Sequence, residues 1–172
     1  MSMDEKLKLF WEIGEQMLAA TPHAAELGMR FVAVGPATAT LSLPYAEHLI
    51  GDVDTRVVHG GAVTTLLDQA CGLAAFTGFE TLGALATLSL RIDYQRAARP
   101  GETVIATAEC YKTTKHVAFL RAVAHDGDET DPVATAQAAF MSTGPRVSFE
   151  DAIAQRLARQ DKAARREREA KP

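Results

Sequence analysis

The sequence predicts an α+β fold in which one long helix packs against an antiparallel sheet. Residues 60–78 repeat apolar side chains at the three-to-four spacing of a helix, and six other segments alternate apolar and polar residues as strands do. Short turns between consecutive strands favour antiparallel pairing. A single apolar helix beside such a sheet gives a two-layer α+β domain.

The composition favours one globular domain and excludes several classes of protein. The chain has 172 residues, of which 47% are apolar and 23% charged. A net charge of −4 argues against a nucleic-acid-binding protein, which usually has a basic balance. No apolar run of about 18 residues is present, so we expect no membrane span. The acidic start and only two cysteines, Cys71 and Cys110, predict a cytoplasmic protein with reduced thiols.

The N-terminal part predicts a helix followed by two strands. Apolar residues recur at helical spacing over residues 4–20, and the pair Thr21-Pro22 ends that helix. Strand patterns then cover residues 29–34 and 39–45, with a turn at Gly35-Pro36 between them. Residues 46–58 are predicted to form a loop.

The part after the central helix predicts four strands and a helical tail. The strand patterns cover residues 84–95, 103–113, 117–125 and 133–142. After Gly144-Pro145 the sequence becomes highly charged. We therefore divide the chain into one domain over residues 1–148, which includes the N-terminal helix, and a charged helical tail over residues 149–172.

One face of the central helix is small and polar and carries a single charge. The core face is predicted to hold Val63, Leu66, Leu67, Ala70, Leu73 and Ala74. The opposite face is predicted to hold Gly61, Thr64, Thr65, Asp68, Gly72 and Ala75. A helix face in contact with solvent is usually rich in Lys, Glu and Arg. The lone Asp68 among small residues therefore indicates a functional or interface carboxylate, with a capped or solvated carboxylate as the alternative.

The start of the same helix offers bare backbone donors. Gly60 and Gly61 leave N–H groups at the positive end of the helix, where such groups stabilise an anion or a developing oxyanion. The alternative is that the two glycines only form a tight turn before the helix. Other chemistries lack their motifs, since no GxSxG, GxxxxGK[ST], HExxH or CxxC is present. The five histidines lack ligand spacing, so we expect no metal site. Cys71 is expected to be a packed core residue.

These residues resemble the signature of a known family. The run from His59-Gly60-Gly61 to Asp68, nine residues after the histidine, resembles hotdog-fold thioesterases of the phenylacetate-degradation (PaaI-like) acyl-CoA type. The run Thr87–Tyr94 and the turn Arg99-Pro100-Gly101-Glu102 match as well. The resemblance covers about residues 25–143. It implies a hotdog fold, a long helix wrapped by an antiparallel sheet, and a cytoplasmic acyl-CoA thioesterase.

The resemblance also implies roles for individual residues. Asp68 would be the catalytic carboxylate, acting as general base or as nucleophile. The N–H of Gly61, together with that of Gly60, would hold the oxyanion, and His59 would order the turn. Thr87 stands where relatives place a Ser or Thr that positions water. Strand alternation, however, groups Thr87 with Ser89, Arg91 and Asp93, on the face opposite to Leu88, Leu90, Ile92 and Tyr94.

One position departs from the family pattern. Many relatives carry an Asn six or seven residues before the histidine, where this chain has Val53 and Asp52. No Asn occurs in the chain. We therefore expect either that Asp52 substitutes for the Asn or that the water is held by another group.

The resemblance implies a substrate and an assembly. Coenzyme A enters as part of the substrate, with no other cofactor, and its phosphates would be bound by cations among Arg99, Lys112, Lys115 and His116. A homodimer, in turn a dimer of dimers, would form sites between subunits, with no nucleic acid and no membrane as partner. The alternative is a non-catalytic hotdog module that binds acyl-CoA. The acyl group is left open, as is the role of the tail.

Overall fold

The predicted α+β architecture is confirmed by a computed structural model, which describes residues 3–80 and 82–147 and four tail positions, 151, 154, 155 and 158. Six strands form one antiparallel sheet, and a long helix packs on it. The helices are α1 (Met3–Ala19), α2 (Pro22–Glu26) and α3 (Gly60–Gly78). The strands are β1 (Arg30–Gly35), β2 (Thr38–Leu43), β3 (Leu82–Tyr94), β4 (Val104–Thr113), β5 (Val117–His125) and β6 (Ala134–Val147).

The order of the strands differs from simple pairing of consecutive neighbours. The sheet runs β1-β2-β4-β5-β6-β3, so β3 pairs with β6 rather than with β4. The connection from β3 to β4 therefore crosses the end of the sheet. It is held there by Gln95, whose N–H donates to the Val133 carbonyl at 2.9 Å, and by the arginines described below. Strand β3 consequently lies at an edge of the sheet.

Helix α3 lies close to the sheet because the sheet presents small side chains. The helix buries Val63, Leu66, Leu67, Ala70 and Ala74 as predicted. The buried alanines of the sheet are Ala106, Ala108, Ala118, Ala122, Ala124, Ala134, Ala136 and Ala138. An alanine-lined surface lets a helix approach closely and be packed at high density.

The small polar face of α3 extends over less of the helix than predicted. Ala75 is fully buried rather than on the polar face. Gly72 lies against Phe140, since a Cβ atom there would sit 3.3 Å from that ring. Leu73 is only partly buried. The face that stays open is therefore confined to the first half of the helix, from Gly61 to Asp68.

Among the described residues, one edge of the sheet is covered by a helix and the other is not. At β1, helix α1 covers the edge: the Phe31 N–H donates to Glu15 Oε1 at 3.1 Å, and Phe10 is fully buried. At β3, no described residue of this chain pairs with the outer edge of the strand. Strand β3 has 13 residues, and an uncovered edge strand has backbone groups available to pair with another chain.

Some boundaries differ from the predicted ones. Strand β6 runs through Gly144-Pro145 to Val147, which pairs with Leu82. The added pairing, rather than local propensity, carries the strand past the proline. Helix α2 was not predicted. Most of the predicted tail, residues 149–172, lies outside the described residues, and the division of the chain at residue 148 stays a prediction.

Candidate active site

The imidazole of His59 caps the N-terminus of α3. Its Nδ1 accepts a hydrogen bond of 2.9 Å from the Gly61 N–H, and its carbonyl accepts one of 2.9 Å from Ala62. The cap also explains the glycine, because a Cβ atom on Gly61 would lie 2.9 Å from that Nδ1. His59 thus orders the turn, and it occupies the N–H predicted to hold the oxyanion.

The structure brings Asp68 and Thr87 together. The Thr87 hydroxyl donates a hydrogen bond of 2.9 Å to Asp68 Oδ1. Asp68 is half-buried and Thr87 is exposed, so the pair lies at the surface of this chain beside the uncovered edge of β3. The hydroxyl holds one carboxylate oxygen and leaves Oδ2 without a donor among the described residues.

A β-bulge places Thr87 on the helix side of the sheet. Thr87 pairs with Phe140 and Ser89 with Ala139, so Leu88 is an extra residue in the strand. One extra residue reverses the alternation of side chains beyond it. Thr87 therefore shares its face with Leu90, Ile92 and Tyr94. The predicted grouping with Ser89, Arg91 and Asp93 was wrong, because the sequence pattern does not reveal the bulge.

The carbonyl of Gly60 is the centre of a second group of hydrogen bonds. The Tyr94 hydroxyl donates to it at 2.6 Å, and Thr64 Oγ1 lies 3.1 Å from it and 2.7 Å from the Tyr94 hydroxyl. Tyr94 was part of the motif in β3 but received no role from the sequence. Its placement on the helix side follows from the same bulge. The Gly60 N–H has no acceptor in the described part of the chain.

Cys71 lies one turn beyond Asp68 and is fully buried, as expected of a packed residue. Burial first, and then the charge of Asp68, raise the pKa of the Cys71 thiol to about 12. The thiol stays protonated at neutral pH and is a poor nucleophile. Cys71 is therefore unsuited to act as a nucleophile on this helix.

Comparison with known proteins identifies the family. Residues 56–133 match the family described as the thioesterase superfamily. A protein of known crystal structure from Pseudomonas aeruginosa is 39% identical, with a TM-score of 0.69 over 77% of this chain and 98% of that one. The chain belongs to the thioesterase superfamily. The predicted hotdog fold and the predicted enzyme class, a thioester hydrolase, are confirmed with this assignment.

Two further proteins extend the comparison over most of the chain. The medium/long-chain acyl-CoA thioesterase YigI of Escherichia coli K12 is 29% identical over 154 residues, which are 82% of this chain and 96% of that protein. The PaaI protein from the phenylacetic acid degradation operon of E. coli has a TM-score of 0.72 at 20% identity, over 86% of this chain and 100% of that one. At this identity the similarity to PaaI shows a shared fold and nothing more.

Asp52, at one of the two positions where many relatives carry an Asn, already forms hydrogen bonds within its own loop. Asp52 Oδ1 accepts hydrogen bonds from the N–H groups of Asp54 and Thr55, at 2.9 and 3.3 Å. These backbone bonds lower the pKa of the Asp52 carboxyl. Val53 is 83% exposed. In this superfamily member Asp52 thus shapes its own loop, and its role as a substitute for Asn stays a prediction.

The predicted coenzyme A cations fall into two separate groups. Lys112, near the end of β4, is exposed, as are Lys115 and His116 in the turn that follows. Arg99 lies before the other end of β4, a strand of ten residues and thus about 30 Å long. The cations of one chain therefore do not surround a single entrance.

Arg99 is also not a free surface cation. Its guanidinium donates to Asp126 Oδ1 at 2.9 Å, and its N–H donates to Oδ2 at 2.7 Å. Arg96 donates to both oxygens of the same carboxylate, at 2.8 and 2.6 Å. These bonds hold the pKa of Asp126 well below its usual range, and they anchor the crossing connection between β3 and β4.

A cavity of about 330 Å³ lies between this connection and the start of α3. Its lining includes Val58, Gly60, Val63, Tyr94, Arg96 and Val133.

Over the described residues, no group of three or more His, Cys, Asp or Glu side chains is placed to hold a metal ion. No helix within these residues has the length and hydropathy needed to cross a bilayer.

Proposed function

We propose that this superfamily member is an acyl-CoA thioesterase that uses Asp68 as its catalytic carboxylate. The hydrogen bond from Thr87 to Asp68 Oδ1 carries the proposal. It fixes the orientation of the only charged group on the open face of α3, and it leaves Oδ2 for a water or a thioester carbonyl. As a general base the carboxylate would take a proton from water, and as a nucleophile it would attack the carbonyl carbon.

The start of α3 supplies the donors for the developing oxyanion. In the proposed mechanism the thioester oxygen replaces His59 Nδ1 as the acceptor of the Gly61 N–H. The Gly60 N–H lies next to it at the same positive helix end. Donors held in place before the reaction stabilise the negative charge of the transition state without reorganisation. Coenzyme A leaves as the thiol, and no metal or redox cofactor takes part.

A panel of acyl-CoA thioesters with a thiol-reactive dye tests the activity. The panel runs from acetyl-CoA through medium to long chains, because the relative YigI is named a medium/long-chain acyl-CoA thioesterase, and it includes phenylacetyl-CoA as an aromatic thioester. We expect release of coenzyme A from at least one class. Binding of acyl-CoA without release from any thioester would instead support the alternative, a hotdog module that binds acyl-CoA.

The phosphates of coenzyme A are proposed to contact the turn between β4 and β5. Lys115→Ala should raise KM about 2- to 5-fold with little change in kcat, because a phosphate contact is equal in the ground and transition states. Added salt should reduce the difference between the variant and the wild type. Lys8→Ala, an exposed lysine on α1, is the control. An unchanged KM in Lys115→Ala would remove this turn from the binding site.

The uncovered edge of β3 is proposed to pair with a second copy, so that the Asp68–Thr87 pair faces the partner. Sedimentation should show a homodimer or a dimer of dimers. Leu88→Lys, at the exposed bulge of β3, should shift the protein towards monomers. Val32→Lys is a matched control, since Val32 is the extra residue of a bulge on the covered edge strand β1. A folded wild-type monomer that hydrolyses thioesters would contradict the dimer.

A further inference from the structure

The hydroxyl of Tyr94 connects the end of β3 to the first turn of α3. The hydroxyl donates to the Gly60 carbonyl at 2.6 Å, across 34 residues of sequence. Thr64 Oγ1, one turn along the helix, lies 2.7 Å from the same hydroxyl. With one proton on each hydroxyl, Tyr94 donates to Gly60 and Thr64 donates to the Tyr94 oxygen or to Gly60. Tyr94 therefore acts on the Gly60 carbonyl directly, and Thr64 acts on the same carbonyl either directly or through the Tyr94 oxygen.

That carbonyl belongs to the peptide group that holds the proposed oxyanion donor. The Gly60 C=O and the Gly61 N–H are two ends of one planar unit. A hydrogen bond that fixes the oxygen therefore fixes the direction of the N–H. Hydrogen bonds to a carbonyl also polarise the peptide and strengthen donation from its N–H.

The orientation of this peptide group is less restrained by its own residues than that of the other peptide groups in the helix. It lies between two glycines, which rotate more freely than other residues because they lack Cβ atoms. The Gly61 position cannot be stiffened by a side chain, because a Cβ atom there would clash with the His59 cap. The capping bond from His59 holds only the N–H end, and in the proposed mechanism this bond is given up to the substrate.

We propose that Tyr94, assisted by Thr64, is a positioning residue that holds the Gly60–Gly61 peptide so that the Gly61 N–H points at the thioester oxygen. The inference rests on the proposed thioesterase function. Tyr94 acts through the peptide and not on the substrate, so its loss affects the rate of the chemical step. The ring of Tyr94 also lines the cavity, which makes Tyr94→Phe the informative change because the ring is kept.

The experiment measures kcat and KM of Tyr94→Phe on the best acyl-CoA of the panel. We expect kcat to fall about 3- to 30-fold, less than the loss of an oxyanion donor itself, and KM to stay within about twofold. Tyr111→Phe, an exposed tyrosine on β4, is the matched control and should keep wild-type values. Thermal unfolding of each variant is followed in parallel, and the midpoints should stay close to that of the wild type.

A second variant separates positioning from a general loss of structure. Thr64→Ala should also lower kcat, whereas Thr64→Ser should keep it. The double variant Tyr94→Phe/Thr64→Ala should be little worse than the worse single variant, because both hydroxyls act on one carbonyl. Multiplicative effects would show that the two residues act independently and would overturn the shared network.

The outcomes distinguish this inference from the proposed function. A wild-type protein that hydrolyses acyl-CoA and an inactive Asp68→Asn, together with an unchanged kcat in Tyr94→Phe, would overturn only the role of Tyr94. A raised KM with an unchanged kcat would also overturn it, since Tyr94 would then contribute to binding. Release of coenzyme A from no thioester by the wild type would overturn both proposals.

Discussion

Asp68→Asn is expected to lower kcat by about 10²-fold or more, the scale of removing a general base. The amide has the shape of the carboxylate and still accepts the hydrogen bond from Thr87, so the variant should fold and assemble as the wild type does. It has no negative charge with which to activate water or attack a carbonyl. KM should change little, because the carboxylate acts on the reacting carbonyl and not on the coenzyme A end.

Asp54→Asn is a suitable control for Asp68→Asn. Asp54 is exposed in the loop before α3, and we place it in no part of the site. Its conversion removes one negative charge and should leave kcat within about twofold of the wild type. Retention of more than half of the wild-type kcat by Asp68→Asn would show that the open face of α3 is a packing surface.

Asp126→Asn is expected to destabilise the protein by about 3 kcal/mol. The Asp126 side chain is fully buried, while the guanidiniums of Arg96 and Arg99 are partly exposed. An amide offers a single acceptor in place of two and leaves Arg96 without its paired oxygens. The crossing connection from β3 to β4 would lose its anchor, and a shift of the urea midpoint measures the loss.

The same carboxylate predicts a pH dependence. Because its arginine partners lower the pKa of Asp126, its contribution to stability is fully present above the ordinary carboxyl pKa of about 3.9. The contribution is lost progressively as the pH falls below that value. Asp131→Asn is the control, since Asp131 is 68% exposed where it meets Arg96 and should change stability by no more than about 1 kcal/mol. Equal stability curves for Asp126→Asn and the wild type would contradict the anchor.

The sequence by itself was enough to predict the six strands and the two long helices, although not α2, and to single out the helix that carries Asp68. Helical spacing predicted α3 over residues 60–78, the bounds that the structure shows, because its apolar face is long and uninterrupted. Asp68 stood out because it is the single charged residue on a helix face of small residues, and such an isolated carboxylate indicates a functional or interface position. The turn at Gly60-Gly61 and its capping by His59 are local, so the sequence contains what is needed to predict them.

The tertiary structure decided the features that depend on contacts far apart in the sequence. The bulge at Leu88 brings Thr87 to Asp68 and Tyr94 to Gly60, and it exists because β3 pairs with β6, about 50 residues away. Likewise, Arg99 looks like a free cation until Asp126, 27 residues on, folds against it. Alternation and spacing report local geometry only. The partner strand sets the register, and the register determines which side chains meet at the site.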